Sequence, residues 1–294
     1  MVNSSGGLGS VLVVLVVYQR PWNLVHAGDL LESALACADG AHGPLPSIGG
    51  LLVYDNSREP IGRPTTDTNR VDYFHAPSNG GTRAAYLHAL SLAKRLGLRW
   101  MVLLDHDTTL TLDYLRELDD RLSSTLDATL GLLFPRVVSG GKVLSPAVIS
   151  PWGTIAPFDP VVAAPVGQTL TALASGSVIR VDALAAVGAI PSALWLDYLD
   201  HWLFREVQAL GYRAELMKAT IHHELSIMDR TPPEAARLLN LLRAERLFVD
   251  GLGCRAKAAY PVRMAMRAAR ALPHDRRAAW MILSQLGAPA RVDD

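Results

Sequence analysis

The feature that most constrains the fold is an alternation of short apolar runs and helical periodicity along the first half of the chain. The apolar runs predict four strands, at Val11–Val17, Gly50–Tyr54, Val71–His75 and Arg99–Leu104. Helical spacing is predicted at Leu24–Ala38, at about Thr82–Leu96 and at about Leu112–Leu122. This order favours an α/β fold in which a mostly parallel sheet is flanked by helices on both faces.

The second half of the chain is less regular. Its pattern predicts a strand at Leu130–Phe134, a hairpin over Gly140–Ile155, a proline-rich loop over Ala156–Gly167 and a strand-like segment at Leu170–Arg180. Helices are expected at Val181–Val187 and Trp202–Leu210, a strand at Arg213–Thr220, and helices from Pro232 onward. We therefore expect a catalytic domain over residues 1–230 and a helical C-terminal extension over residues 231–294.

Polar side chains follow the predicted strands at the point where each ends. Tyr18, Asp55, Asn79 and the pair Asp105 and Asp107 all occupy such positions. In open α/β sheets, ligands bind outside the carboxyl ends of the strands. The sequence therefore predicts a ligand site at this edge of the sheet.

Composition excludes several classes of protein. Lys plus Arg and Asp plus Glu both number 28, so the zero net charge gives no sign of a nucleic-acid partner. Two cysteines are too few for a disulfide framework or a cysteine-based zinc module, and they fit a reducing compartment. The apolar run Val11–Val17 is too short to span a bilayer and lacks the flanks of a signal peptide. These observations predict a cytoplasmic protein.

The sequence Asp105-His106-Asp107 directly follows an apolar strand and has three interpretations. Two carboxylates one residue apart suit Mg²⁺ or Mn²⁺, which favour hard oxygen ligands. Alternatively, Asp107 caps the following helix. The run Asp-x-Asp-x-Thr also resembles the nucleophile loop of haloacid-dehalogenase-type phosphatases, although three predicted strands precede it and that family has it on the first strand.

Seven motifs in order resemble family 2 inverting glycosyltransferases, with bacterial rhamnosyltransferase-like members the most similar. They are Val-Val-Tyr-Gln-Arg, Val-Tyr-Asp-Asn-Ser, Asn-Gly-Gly-Thr-Arg-Ala-Ala, Leu-Leu-Asp-His-Asp, Ser-Gly-Ser-Val-Ile-Arg, Leu-Asp-Tyr-Leu-Asp-His-Trp and His-Glu-Leu. Together they cover roughly residues 10–225. The resemblance implies a GT-A-like fold and transfer of a sugar, with inversion, from a dTDP- or UDP-sugar to a hydroxyl acceptor.

On the nucleotide side, the resemblance implies that Asp55 holds the base or ribose of the donor. Without the family, an Asx turn that closes the strand is an equally good interpretation of Asp55. The resemblance also assigns nucleotide contacts to the turn Asn79–Gly81, to Arg83, to Tyr18 and to Asp105. The chain departs from the family at Leu87 and Ala89, where relatives carry Asn and Gly.

On the metal side, the resemblance implies that Asp107 is the main ligand of Mg²⁺ or Mn²⁺, with Asp105 nearby and His223 completing the set. His222 and His223 are adjacent, so on an extended backbone their side chains point in opposite directions and only one reaches the metal. We expect that one to be His223.

The catalytic base is expected among the carboxylates before the helix at Trp202. The resemblance places Asp200 at the base position, and Asp197 remains an alternative because the spacing to Arg205 is one residue short. Ser175 and Gly176 are expected beside the sugar and acceptor, and Trp202 is expected to help desolvate the base. A catalytically silent subunit that binds sugar nucleotides or glycans is the alternative from another functional class.

The zero net charge conceals a basic tail. Between Arg255 and Arg277 there are seven Lys and Arg residues and one acidic residue, Asp275. In this segment Val262, Met266 and Ala269 share one predicted helical face, and Arg263, Arg267 and Arg270 share another. Such a helix suits a peripheral contact with the inner face of the plasma membrane and a lipid-linked acceptor. Packing on the catalytic domain, or a subunit contact in a homo-oligomer, is the alternative.

Overall fold

The computed structural model describes residues 10–36, 48–63, 69–124, 127–161, 167–224 and 235–286. Its strands are β1 (Val11–Val17), β2 (Gly50–Asp55), β3 (Val71–His75), β4 (Trp100–Asp105), β5 (Thr108–Thr109), β6 (Leu130–Ser139), β7 (Lys142–Ser145), β8 (Ala147–Ile149), β9 (Ile155–Pro157), β10 (Thr169–Thr171), β11 (Val178–Arg180) and β12 (Arg213–His223). Its α-helices are α1 (Gly28–Ala36), α2 (Gly81–Leu96), α3 (Leu112–Ser124), α4 (Val181–Val187), α5 (Leu199–Ala209), α6 (Ala235–Asp250), α7 (Cys254–Ala271) and α8 (Arg276–Ser284).

The main sheet has the strand order β3-β2-β1-β4-β11-β6-β12-β5, with β7 paired to β6. Parallel pairing predominates, because the four parallel ladders each join five to seven residue pairs and the antiparallel ladders join at most three. The strands β10, β8 and β9 form a small second sheet. The predicted α/β class is therefore confirmed.

Strand β1 lies at the centre because it is apolar on both faces. Leu12, Val14 and Val16 point into a core shared with α2, α4 and α5, and the alternate residues of β1 point into a second core against α1 and α3. A parallel strand buried on both sides needs such a continuous apolar run. This arrangement places the carboxyl end of β1 in the middle of one sheet edge.

The second half of the chain differs from the prediction in two places. The segment Leu170–Arg180 is divided between β10 of the small sheet and β11 of the main sheet, because a turn at Ser175–Gly176 separates them. The expected hairpin over Gly140–Ile155 becomes β7, which pairs with β6, and β8, which pairs with β9. The other predicted strands and helices are present, although several ends differ by a few residues.

The C-terminal helices α6, α7 and α8 pack onto the same core as α2, α4 and α5. Their buried residues include Leu242, Phe248, Tyr260, Met264 and Ile282. The expected boundary between residues 230 and 231 lies outside the described residues, as do Cys37 and residues 287–294. Among the helices that the structure describes, none has the length and apolar character needed to cross a membrane.

Candidate active site

The register of the central strands brings two predicted site residues to the end of β1. Val16 is paired with Asp105 of β4, and Val17 is paired with Asp55 of β2. The backbone continues this arrangement, since the amide of His106 donates to the carbonyl of Val16. Asp105 and Asp55 therefore flank the carboxyl end of β1, one on each side.

Antiparallel pairing between β5 and β12 adds a histidine to this edge. His223 lies opposite Thr108, and its Nδ1 is 3.3 Å from Oδ1 of Asp107. The Oγ of Ser175 lies 3.2 Å from Oδ2 of Asp105 and 3.2 Å from Nδ1 of His223. One ligand atom each from Asp105, Asp107 and His223 fall within 4.8 Å of one another.

The electrostatics of this cluster suit a cation. Burial and the neighbouring Asp107 carboxylate raise the pKa of Asp105 to about 7, although the hydrogen bond from Ser175 opposes that shift. Burial lowers the pKa of His223, and the carboxylates of Asp107 and Glu224 offset this only in part. A neutral imidazole beside two carboxylates that repel each other is a donor set that a divalent cation would stabilise.

An unsatisfied atom identifies the point at which a ligand fits. Oδ1 of Asp107 is buried and has no hydrogen-bond partner. Buried polar atoms are nearly always hydrogen-bonded, so this one requires an explanation. A Mg²⁺ or Mn²⁺ ion held by Asp107, Asp105 and His223 would satisfy it. The neighbouring His222 is exposed, as the alternation of side chains along a strand requires.

Next to the cluster is a cavity of about 340 Å³. Its lining includes Asp105, Ser175 and His223 as well as Asp197, Asp200 and Arg237. The cavity therefore brings two of the candidate metal ligands, Asp105 and His223, and both candidate bases to one space. It is large enough for a sugar-sized ligand, at the lower end of the range for small-molecule sites.

Neither candidate base caps helix α5. The residue before the helix is Tyr198, with φ +60°, and it makes no side-chain cap. Oδ1 of Asp200 accepts the amide of His201 at 2.8 Å. Oδ1 of Asp197 lies 3.6 Å from Arg237 Nη2, and its Oδ2 is buried without a hydrogen-bond partner.

The environment of Asp197 favours its protonated form. Burial raises the pKa of Asp197, Arg237 opposes that shift, and the nearby Asp200 adds to it. A carboxylate with a raised pKa is better suited to accept a proton from a hydroxyl. Both Asp197 and Asp200 face the cavity, so the structure keeps both as candidates.

On the nucleotide side, Asp55 is fully buried and its oxygens are used inside the protein. Oδ1 accepts the amide of Ser57 at 2.9 Å, and Oδ2 accepts the amide of Ile61 at 2.9 Å and the hydroxyl of Tyr73 at 2.6 Å. Burial alone would raise the pKa of Asp55, but these hydrogen bonds lower it below its ordinary value. The geometry is that of an Asx turn extended into a loop, which was the alternative interpretation of this residue.

The turn before α2 is likewise packed against protein. Gly81 has φ +68°, and a Cβ at this position would lie 2.2 Å from the carbonyl oxygen of Trp195. The amide of Arg83 donates to that same oxygen, and Nε of Arg83 donates to the carbonyl of Ile190. Asn79 has φ +49° and its amide donates to the carbonyl of Ala76. The glycine is thus needed for contact with Trp195.

Four further predicted residues lie in different surroundings. Ser175 is buried within the cluster, whereas Gly176 has φ +71° and a Cβ there would meet Ile221 at 2.4 Å. The positive φ and the packing against β6 and β12 therefore favour glycine at this position. Trp202 lies in the hydrophobic core and does not line the cavity, so its expected role beside the base stays a prediction. Tyr18 lies beyond the end of β1 and is 46% exposed.

Sequence reasoning missed Arg237. This residue comes from α6, beyond the segment covered by the resemblance, and its side chain reaches the cavity beside Asp197. No local pattern distinguishes it from the other arginines of the C-terminal helices. Only the packing of α6 against α5 reveals its position.

Comparison with known proteins identifies the fold of the chain. No protein-family model matches the sequence, and no curated protein matches it. Among solved structures, the chain is similar to GalNAc-T7 crystallised with UDP, GalNAc and Mn²⁺, with a TM-score of 0.56 and 12% identity over 94% of this chain and 54% of that one. For TarS from S. aureus the TM-score is 0.45, at 13% identity over 90% of this chain and 44% of that one. For TarS residues 1–349 it is 0.48, at 12% identity over 90% and 72%.

The chain thus spans about half the length of GalNAc-T7 and less than half of full TarS. Identity this low shows shared architecture alone, and of these three matches the one with GalNAc-T7 has a TM-score above 0.5. With the sheet and helices described above, it confirms a GT-A-like α/β fold.

Proposed function

We propose that the protein is a metal-dependent glycosyltransferase that moves a sugar from a nucleoside diphosphate donor to a hydroxyl acceptor with inversion. The observation that carries the proposal is a cavity lined by Asp105 and His223 of the candidate metal cluster and by both Asp197 and Asp200. A cation site and a carboxylate that border the same sugar-sized space are the two elements that such a transfer needs. The GT-A-like fold and the UDP and Mn²⁺ in the GalNAc-T7 structure support the choice of donor and ion.

The cluster would hold Mg²⁺ or Mn²⁺ through Asp107, Asp105 and His223. When bound, the ion would neutralise charge on the diphosphate leaving group, which is where negative charge develops. Ser175 would orient Asp105 and His223, since its hydroxyl lies between them. Arg237 would supply a further positive charge on the cavity wall.

The base that we propose is Asp200, with Asp197 as the alternative. Its carboxylate would accept the proton of the acceptor hydroxyl, and the freed oxygen would attack the anomeric carbon from the face opposite the diphosphate. The bond from that carbon to the diphosphate oxygen breaks, and the nucleoside diphosphate leaves with the electron pair. The configuration at the anomeric carbon is inverted.

For the nucleotide side, we propose that Asp55 shapes the loop over which the base and ribose lie. Its three internal hydrogen bonds support a structural role better than direct contact. Tyr18, Asn79 and Arg83 lie at the same edge of the sheet and stay proposed nucleotide contacts, together with Gly81. The proposal of a rhamnosyl donor such as dTDP-rhamnose rests on the sequence resemblance alone.

Thermal-shift titration with Mn²⁺ and nucleoside diphosphates tests the class directly. A ligand that binds only the folded state raises the melting temperature by mass action. We expect UDP or dTDP to stabilise the protein only when Mn²⁺ or Mg²⁺ is present. The proposal fails if none of these nucleotides, nor their sugars, shifts the melting curve with either metal.

Variants at the two carboxylates then test the base. Asp200→Asn should retain nucleotide binding and lower transfer by about 10²–10⁴-fold, the usual contribution of a general base. Asp197→Asn tests the alternative in the same assay. Asp113→Asn is a matched control, because Asp113 lies in the first turn of α3 with its side chain 88% exposed. If only Asp197→Asn abolishes transfer, the base is Asp197.

The same assays separate the alternative functions. A haloacid-dehalogenase-type phosphatase would lose activity on Asp105→Asn and be indifferent to Asp200→Asn, and the motif lies on β4 with three strands before it. A silent binding subunit would bind nucleotide without turnover in the wild-type protein.

The acceptor and its location follow from the C-terminal helices. We propose a cytoplasmic protein whose acceptor is a lipid-linked glycan at the inner face of the plasma membrane. The strongly basic segment Arg255–Arg277 supports this choice. A homo-oligomer formed through the same helices is the competing arrangement.

A further inference from the structure

The helices α7 and α8 expose a set of large apolar side chains. Trp280 is 70% exposed, and the others are between 46% and 60% exposed: Val262, Met266, Leu272 and Leu283. The two helices are consecutive and pack on each other, and both bury their inner residues in the core. One helical pair thus leaves a Trp and four other large apolar side chains accessible to a partner.

The basic residues of α7 and α8 fall into two groups, those bonded within the protein and those exposed to solvent. Arg263 and Arg267 are turned towards the body of the protein, where they donate to the carbonyl of Trp152 and to Glu245. The remaining five basic residues of the segment are exposed: Arg255, Lys257, Arg270, Arg276 and Arg277. Asp275, the acidic residue of the segment, is committed to capping α8 by accepting the amide of Ala278.

This difference determines which side chains of α7 and α8 are available to a partner. From the sequence, Arg263, Arg267 and Arg270 share one face of an amphipathic helix, but the structure engages Arg263 and Arg267 with Trp152 and Glu245. Val262 and Met266 are exposed on this helix together with the basic residues Arg255, Lys257 and Arg270. Apolar side chains surrounded by Lys and Arg are the arrangement by which interfacial helices bind anionic lipid.

We infer that α7 and α8 form a membrane-docking surface for an anionic bilayer, which we call the α7–α8 surface: Val262, Met266, Leu272, Trp280 and Leu283 with the five exposed basic residues. Trp280 would lie at the headgroup level, where indole rings are favoured. The helices are folded onto the core before docking, so the contact does not carry the cost of ordering a free peptide. The acceptor class, a lipid-linked glycan, rests on the proposed function, but docking itself does not.

Vesicle flotation of the full chain tests the surface without donor or metal. We expect the wild-type protein to float with vesicles containing phosphatidylglycerol and to remain at the bottom with phosphatidylcholine alone. Each basic residue near an anionic surface contributes about 1 kcal/mol, so Arg276→Gln and Arg277→Gln should each weaken binding about fivefold. The double variant Met266→Ser, Trp280→Ser should reduce flotation further. Leu96→Ser is the control, because Leu96 at the end of α2 is 53% exposed and lies outside the surface.

Several outcomes would overturn the inference. A wild-type protein that does not float with anionic vesicles excludes membrane docking, whatever the variants do. Equal loss of flotation in Leu96→Ser would show that the effect is not specific to the surface. If sedimentation reveals a dimer that Met266→Ser and Trp280→Ser abolish, and flotation is absent, the surface is a contact between two copies. Because no donor or metal is present, failure here leaves the transfer reaction untouched, and a failed nucleotide screen leaves docking untouched.

Discussion

The two sides of the predicted site differ in how their polar atoms are satisfied. On the nucleotide side, Asp55 accepts three hydrogen bonds from its own loop and from Tyr73. Arg83 donates to the carbonyl of Ile190, which lies between α4 and α5. On the metal side, Asp107 has a buried carboxylate oxygen without a hydrogen-bond partner, and Asp105 has a strongly raised pKa. The carboxylate of Asp55 is therefore satisfied within the chain, although the neighbouring Asn56 has a buried Oδ1 without a hydrogen-bond partner. The unpartnered oxygen of Asp107 is one that a bound cation would satisfy.

This difference separates polar residues that build the fold from those that await a substrate or ion. A buried polar atom that is satisfied within the chain stabilises local structure, and one that is not satisfied costs free energy until something binds. A position at the end of a strand does not distinguish polar residues that build the fold from those that await a ligand. Substitutions on each side should therefore have opposite signatures in stability and in binding.

The largest expected effect is on metal binding by Asp107→Asn. Losing a direct ligand should weaken Mn²⁺ binding by more than the roughly 10–100-fold that loss of an outer partner costs. The melting temperature without metal should be unchanged or higher, because the repulsion between Asp105 and Asp107 is removed. Calorimetric titration with Mn²⁺ and thermal melting measure the two quantities. Unchanged Mn²⁺ affinity would contradict the assignment, and His222→Ala serves as the matched control.

The opposite signature is expected for Asp55→Asn. The new amide group cannot accept all three hydrogen bonds, and each buried group left unsatisfied costs about 1–3 kcal/mol of unfolding free energy. Urea unfolding should show this loss in the absence of any ligand. If the variant is as stable as the wild type and loses only nucleotide affinity, Asp55 is a direct ligand contact and the comparison between the two sides fails.

A smaller effect is expected for Ser175→Ala. The Ser175 hydroxyl lies between Asp105 and His223, so its loss should leave both ligands in place but less well oriented. We expect Mn²⁺ affinity to fall about tenfold. Ser177→Ala is the control, since Ser177 donates to the carbonyl of Leu173 in the same turn. Equal loss of affinity in both variants would indicate disruption of the turn.

The smallest expected effect is on the free energy of unfolding at acid pH, to which the ionised carboxylate of Asp55 contributes. Its pKa is lower in the folded protein than in the unfolded chain, because hydrogen bonds to the carboxylate outweigh burial. Its stabilising contribution is therefore present above the unfolded pKa of about 3.9 and is lost as the pH falls through the lower folded value. The difference in unfolding free energy between wild type and Asp55→Asn should shrink over this range. A difference that is constant with pH would show that ionisation of Asp55 is irrelevant.

Much of the fold could be predicted because its signals are local. The run Val11–Val17 is apolar at every position, which only a strand buried on both faces requires, and Val71–His75 and Val181–Val187 have the predicted bounds. The segment Leu170–Arg180 was less predictable. Its residues favour extended backbone throughout, and nothing local shows that Ser175–Gly176 divides it between two sheets.

Part of the candidate site could also be predicted from local signals. Strand-end positions and the motif order singled out Asp105, Asp107 and His223 before any geometry was available, and the fold brings all three together. The surroundings of Trp202 and Arg83 were not foreseeable, because they depend on elements far away in sequence. Arg237 was missed for the same reason, since its partner Asp197 lies on another part of the chain.

The sequence by itself determined the order of strands and helices, the polar residues at the strand ends and the basic C-terminal segment. These properties depend on neighbouring residues in the chain, where periodicity and composition are sufficient evidence. Only the tertiary structure decided which of those polar groups are already satisfied. Hydrogen bonding and burial depend on neighbours in space, such as Thr108 and His223, which are 115 positions apart. The same physics turns Arg263 and Arg267 inward and leaves Trp280 outside.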